Sequence, residues 1–447
     1  MRTAVRIVLI AIAAILALVF LGVMTLTNTD WGRERVRRFT LDALGKSAHG
    51  IIHLGTIQGN LLEEVILVDL SITDSAGRPF VSIRRARAQY RISDLLRQRI
   101  GLTSLALEQP VIVLSKLPGP DSLWNFQRIF PPTGAADTSR GLGSWITANN
   151  VRLTNGRITV RLPWSPSDTL SAAQRDSAIR VALAGETRAQ VVEVPGGYQS
   201  IMDFQKIQAA LPHVRLADPD SASRLFRVGE LRMVALPFTP PAAEIRSLKG
   251  DFRMGTDSLW FRGVAASLPG TRLTLSGAYM LESGDVNLQT NARPLALADL
   301  RWLYPALPSS GGGSARLDMR YRPKGVSDFM VPSAELTVDS GSLAGMMGVE
   351  MASEGGLRLH DTDLQFDRVR TSTIEALVPG LEIPRSGTFA GHAVLAGALT
   401  DMNVDADVSF NDSRAGTSRL LAVGNVGTVG AGGGVQMDDL RLRFEPL

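Results

Sequence analysis

There is no cysteine among the 447 residues, which rules out disulfides, iron–sulfur clusters and thiolate zinc sites. Aromatic residues make up only 6% of the chain, and they are not gathered with a concentrated basic patch. Histidines number five, and His49, His53, His213, His360 and His392 are scattered. His49 and His53 are four apart, but Gly50 and the expected start of a strand argue against one metal-binding helical face. A surplus of one charge is missing as well. The net charge is +4 with a sequence pI near 9.6, yet the arginines alternate with Asp and Glu along the chain. That is the pattern of solvated strand faces, and it excludes nucleic acid as an expected partner.

Signatures of catalysis are equally thin. Gly45-Lys46-Ser47 ends like a P-loop, but Thr40 stands where the first glycine is required. Asp361, Asp363 and Asp367 lie close enough to crowd a calcium ion, although a solvated loop is the simpler account. The stretch 427–434 lacks the spacing of a dinucleotide loop and reads as a turn. No Ser, His and Asp set has a local signature.

Long apolar runs are also absent, with one exception: Ile7 to Leu26, twenty residues without a charge. At about 1.5 Å per residue a helix of this length matches the roughly 30 Å hydrocarbon core of a bilayer. Ile7, Leu9, Ile15, Leu18, Phe20 and Leu26 would be its lipid-facing anchors. A cleaved signal peptide is the main competing reading, but the run is longer than a signal core and Met24-Thr25-Leu26-Thr27 offers no small-residue cleavage site. Arg2 and Arg6 on one side face Arg33, Arg35, Arg37 and Arg38 on the other, so charge leaves the orientation open.

What is abundant is alternation. After a short amphipathic helix over 31–44, the period changes to two. In Glu64 to Thr73, Ile66, Val68, Leu70 and Ile72 take one side of a half-buried strand, and residues 74–79 form a turn. Ile92 to Gln98 is expected to make a helical turn or two, and Pro110 marks an edge or bulge in the strand from Leu105 to Leu114. Asn155-Gly156, flanked by alternating apolar residues, predicts a type I′ hairpin. A helix is expected from Ser171 to Leu183. Strands recur to the end, with Leu273 and Leu275 leading to Gly277, then Leu317 and Met319, then Leu336 and Val338, then Val404, Val408 and Phe410, and finally Leu440 to Phe444.

A weak repeat runs through this region. Leu300, Pro305 and Gly311 resemble Ile374, Pro379 and Gly387 at offsets of 74 to 76 residues, each reading as a short helix followed by a glycine that starts a strand. The expected fold is therefore mainly β. A single amino-terminal transmembrane helix precedes an elongated, curled antiparallel sheet, solenoid-like and interrupted by short helices. Its expected parts are an anchor over 1–29, a first β unit over 30–130, a linker over 131–144 and a repetitive β-groove region over 145–447. An open sheet of this kind has an apolar trough in which Ile66, Val68, Leu70, Ile72, Leu317, Met319, Val404, Val408 and Phe410 are the candidate lining. Such a trough can hold acyl chains at about 0.8 kcal/mol per methylene removed from water, or offer strand edges to a client protein. The same alternation also suits a closed sandwich or barrel core.

The order of these features resembles the AsmA-like family, most closely its TamB branch. The resemblance rests on the anchor, Leu44-Gly45, Ile57-Gln58-Gly59-Asn60-Leu61-Leu62, Val65 to Asp74, Leu105 to Val113, Trp124-Asn125, Phe238 to Gly250, Leu268-Pro269 to Gly277 and the two Leu-x-Pro repeats. It implies a single-pass inner-membrane protein with its amino terminus in the cytoplasm and its bulk in the periplasm. It also implies no enzymatic activity and no cofactor. Its expected partners are the inner membrane, phospholipid acyl chains and an outer-membrane β-barrel protein. The function it implies is phospholipid movement between the two membranes, with assembly or secretion of outer-membrane proteins as the alternative. TamB-like chains are longer and end in a further domain, whereas this sequence stops at Leu447 within a strand pattern, as a fragment, a truncated reading frame or a shorter relative would.

Overall fold

The computed structural model describes residues 34, 35, 38 and 49–446, apart from 61, 98, 120–122, 130–144, 169, 222, 324, 339–340, 353–355, 378–381, 399, 413 and 430–433. The expected membrane span, most of the amphipathic helix, Gly45-Lys46-Ser47 and the 131–144 linker therefore lie outside the described residues. No helix among the described residues is long and apolar enough to cross a membrane. What is described is mainly β: twenty-one strands belong to one sheet, antiparallel except in two ladders. Two compact units divide the chain, Met1–Ser167 with Ala172–Met233, and Asp168–Ser171 with Val234–Leu447.

In the first unit β1 (Gly50–Gln58), β2 (Glu64–Asp74) and β3 (Pro79–Tyr90) form an antiparallel meander. The expected turn after β2 is built by Asp74, whose Oδ1 accepts from the Ala76 and Arg78 N–H groups at 3.0 and 2.9 Å. After α1 (Ile92–Leu96), proline divides the expected strand into β4 (Ile100–Glu108) and β5 (Val111–Ser115), because Pro110 has no N–H for the ladder. Next comes α2 (Asn125–Ile129), packed against β2 and β5, with Ile129 fully buried. Asn125 seats it: Nδ2 donates to the Val113 carbonyl at 2.6 Å, and Oδ1 accepts from the Ser115 and Phe126 N–H groups at 3.2 and 3.0 Å.

The hairpin expected at Asn155-Gly156 does not exist. Both residues lie inside the 19-residue strand β6 (Ile146–Trp164), and of the pair Asn155 alone has a positive φ, 53°. A type I′ turn needs two such residues, and one alone makes a bulge. Gln109 (φ 51°), between β4 and β5, and Lys206 (φ 53°), on β8 (Gly197–Ala217), repeat the device in the neighbouring strands. Register aligns them, since Glu108 opposes Thr154, Val111 opposes Arg157 and Gly156 opposes Ile207. Three strands thus bend at one level.

The expectation of a purely antiparallel sheet is corrected here as well: β6 runs parallel to β4 and β5. The chain between Ser115 and Ile146, about 30 residues, is long enough for the crossover that a parallel pair requires. The expected helix is α3 (Ala172–Leu183), and β7 (Gln190–Val194) pairs with β8, itself antiparallel to β6. Ala148, Val151 and Val214 centre the core of this unit, packed by Leu102, Leu105, Leu153, Leu211 and Phe226. β9 (Arg224–Leu236) follows.

The second unit is an antiparallel meander of twelve strands. They are β10 (Ala243–Met254), β11 (Ser258–Ser267), β12 (Arg272–Met280), β13 (Val286–Ala296), β14 (Gly312–Tyr321) and β15 (Val326–Val338). After them come β16 (Gly341–Ala352), β17 (Leu357–Arg370), β18 (Gly387–Ala398), β19 (Asp401–Asp412), β20 (Gly416–Val429) and β21 (Gly434–Pro446). β12 runs straight through Gly277, where the sequence suggests an end. The repeat is real structure: a 3-10 turn at Leu297–Leu300 separates β13 from β14, and α4 (Thr371–Leu377) separates β17 from β18. One period therefore equals four strands, with Gly311 directly before β14 and Gly387 opening β18.

Candidate functional site

Strand β14 (GGSARLDMRY) alternates without a break: Gly313, Ala315, Leu317 and Met319 take one face, while Ser314, Arg316, Asp318 and Arg320 take the other. Its ladders carry this two-faced character across the second unit. From Met319 one row of cross-strand partners passes through Leu288, Gly277 and Phe261 to Phe252 on one side, and through Phe329 and Val349 to Leu359 on the other. From Gly313 a second row passes through Leu336, Leu343, Phe366, Gly391, Val408 and Leu420 to Phe444. Between them a third row of smaller side chains runs from Leu273 through Ala292, Ala315, Ala334 and Gly345 to Leu364, then through Ala393, Ala406 and Ala422 to Leu442. Twelve strands at about 4.8 Å spacing make this face on the order of 50 Å long.

The apolar face is half-open. Leu288, Met319, Phe329, Leu336, Phe366, Val408 and Leu420 are all only partly buried, while Val264, Leu295, Leu297 and Val338 are the larger apolar side chains of this unit that are buried among the described residues. A sandwich core would bury such rows under a second sheet about 10 Å away. Here, among the described residues, each strand's ladders run to its chain neighbours and the rows stay partly exposed. Bulges keep the face continuous while bending it. The ladder slips between Lys249 and Phe252, between Phe261 and Val264, and between Leu359 and Thr362, where Asp361 has a φ of 44°.

The candidate lining residues fall as follows. Met319 lies in the first row and Val408 in the second, while Leu317 sits between rows opposite Thr290. Val404 opposes Leu395, and Phe410 opposes Phe389 with ring centroids 4.8 Å apart. Ile66, Val68, Leu70 and Ile72 do not share one set of partners. Leu70 and Ile72 oppose apolar residues, Leu54 with Ile83 and Ile52 with Val81, whereas Ile66 and Val68 oppose Gln58 with Arg87 and Thr56 with Arg85. Asp69, with φ 54°, interrupts the alternation between the two pairs. Leu288, Phe329, Leu336, Phe366 and Leu420 belong to the same face but are not among the sequence candidates, because bulges shift the two-residue period from strand to strand.

The opposite face is charged, and over β15–β20 several of its charges are paired. Arg419 donates twice to Asp407 at 2.7 and 2.6 Å, and these bonds hold the Asp407 carboxyl below the usual carboxylate range. His392 Nε2 lies 2.7 Å from Asp363. His360 bridges two carboxylates, Asp361 at 2.9 Å and Asp328 at 3.0 Å, and the Asp361 bond leads in raising its pKa. Asp361, Asp363 and Asp367 are thus strand residues of β17 bonded to His360, His392 and Arg368 respectively. They do not converge, and among the described residues no three acidic or histidine side chains could hold a metal ion.

In the first unit the buried carboxylates are structural too. Arg157 binds Asp203 at 2.9 and 2.8 Å, with Thr159 at 3.1 Å and Gln205 at 2.5 Å completing its shell. Burial pushes the Asp203 pKa up, but these bonds outweigh it and the net direction is down. No protein-family model, curated protein or solved structure matches the chain.

Proposed function

We propose that the chain is a membrane-anchored β-groove protein that moves phospholipids between the inner and outer membranes, with acyl chains held on the apolar face and headgroups in solvent. The observation that carries this reading is the half-open state of three apolar rows over β10–β21. Apolar surface left facing water over such a length is a standing cost unless something apolar occupies it. Each methylene of an acyl chain laid there gains about 0.8 kcal/mol, so a chain of ordinary length recovers on the order of 10 kcal/mol before its ordering entropy is counted. Over β14–β17 a row of mostly Ala and Gly runs between two rows of larger side chains, a shallow strip along which an unbranched tail can lie.

The resemblance to the AsmA-like family supports the same assignment, with the anchor at Ile7 to Leu26 in the inner membrane and the β units in the periplasm. A photo-crosslinking amino acid tests it directly. Placed at Met319 in cells, it should capture phospholipid, and placed next door at Arg320, on the opposite face, it should not. Capture of an outer-membrane protein at Met319 with no lipid would reject the conduit in favour of client assembly.

A further inference from the structure

The charged face is not paired everywhere. Over β10–β14 it holds two adjoining depressions, one of about 790 Å³ and one of about 410 Å³. The first is rimmed by Arg253, Arg262 and Arg320, the second by Lys249, Arg272 and Arg293. Only two carboxylates, Asp251 and Asp318, line either of them. Among the described residues none of the six cations lies within ion-pair distance of an acid, whereas Arg316, Arg322, Arg368, Arg385 and Arg419 of the same unit do; Arg358 and Arg370 also lack such a partner but line neither depression. Side chains of this kind left without partners in one place are a binding surface for negative charge.

The shape of the floor narrows the class of ligand. Arg253, Trp260, Ala278, Asn287 and Arg320 oppose one another in a single cross-strand row, so the two guanidiniums stand at the ends of a span of about 19 Å with a small residue at its centre. Ser276 and Ala278 keep the middle of the first depression low, and Ala265 and Thr274 do the same in the second. Trp260 is 36% exposed. Gly255 leaves room for the edge of its ring, since a Cβ there would stand 3.2 Å from Cζ3. Asn287 and Gln289 add exposed amides. One exposed aromatic platform with amides beside it suits a sugar ring, which stacks through its C–H face and offers hydroxyls. A nucleic-acid strand would call for successive aromatics.

We infer that this face of β10–β14 binds an acidic polysaccharide, its carboxylates paired with the unpartnered guanidiniums and one ring stacked on Trp260. The inference does not rest on lipid transport, because it concerns the face opposite the apolar rows.

Fluorescence anisotropy on the full chain in detergent, at low salt, tests it with labelled oligogalacturonate as probe and an uncharged malto-oligosaccharide of equal length as comparison. The acidic probe should bind and the neutral one should not. Arg253→Gln/Arg262→Gln/Arg320→Gln should weaken binding by at least about tenfold. Trp260→Ala should weaken it severalfold without changing its salt dependence. All four side chains are exposed, so an unchanged circular dichroism spectrum is expected of both variants. Equal affinity in wild type and triple variant would overturn the site. No effect of Trp260→Ala would reduce it to diffuse charge and overturn the saccharide. Competition by mixed micelles of the same detergent with phosphatidylglycerol, stronger than by unlabelled oligogalacturonate, would show the partner to be an anionic lipid, and would overturn the assignment as well.

Discussion

Asp74 shows how one buried side chain reinforces a turn that two backbone bonds, Asp74 N–H to the Arg78 carbonyl and Gly77 N–H to the Asp74 carbonyl, already close at 2.9 Å each. It is 2% exposed, accepts from two backbone N–H groups and receives Arg78 Nε at 2.6 Å. Burial alone would raise its pKa, but the Arg78 and Ala76 bonds prevail and the net direction is down. Removing the carboxylate in Asp74→Ala should cost roughly 1–3 kcal/mol in urea melts at neutral pH. Because the folded pKa lies below the unfolded one, this contribution is complete above the ordinary carboxylate range and is lost as pH falls through the folded value. Wild type and variant should therefore converge in acid.

His360 titrates in the opposite sense. Its pKa is raised from 6.5 by Asp361 and Asp328, so the protonated ring stabilises the fold below the unfolded pKa and the gain disappears as pH rises through the folded one. His360→Gln should lower the melting temperature at pH about 5 and have little effect well above neutrality. A variant equally harmful at both ends would mean that the ring acts by packing rather than charge. Neither role was legible in the sequence. Asp361 and Asp363 stood out there as a possible calcium cluster, because alternation alone cannot tell which residue of the next strand each one will meet. Asn125 was part of a family resemblance with no physical role attached, and its bonds to the Pro79, Val113 and Ser115 backbone form only once α2 folds back onto the strands.

Among the elements, the strands of the second unit were the most legible. β19 and β18 pair through twelve residues without a slip, and Val404, Val408 and Phe410 alternate there as expected. Gly391 is the tightest point of that ladder: its φ is 150°, and a Cβ would collide with the Asp407 carbonyl oxygen. Gly391→Val should open the ladder locally, at a cost of about 1–3 kcal/mol, seen as lost amide-exchange protection in β18 and β19 while β6 and β8 keep theirs. Unchanged protection would show that the ladder slips to accommodate the side chain.

The short helices at Leu297–Leu300 and Thr371–Leu377 were visible through their prolines and glycines. Apart from the break expected at Pro110, what sequence reasoning missed were the bulges. Asn155-Gly156 carries the composition of a hairpin, yet Gln109 and Lys206, residues with no turn character of their own, take the same left-handed conformation beside Asn155. Tertiary alignment, which no local pattern encodes, turns the pair from a reversal into a bend.

At the scale of the molecule, alternation left two architectures open, an open trough and a closed core, and the partly exposed rows of the second unit favour the trough. Anchor and linker lie outside the described residues, so membrane attachment rests on the twenty uncharged residues alone. A groove of this kind requires that the apolar face carry lipid. Native mass spectrometry of the full chain, extracted in mild detergent, measures this most directly in three forms. Val408→Asp puts a charge in the second row, and Ala396→Asp puts the same charge on the exposed opposite face. Several bound phospholipids in wild type and Ala396→Asp, sharply reduced in Val408→Asp, is the predicted result. A lipid-free wild-type chain, or lipid retained equally in all three, would contradict the groove.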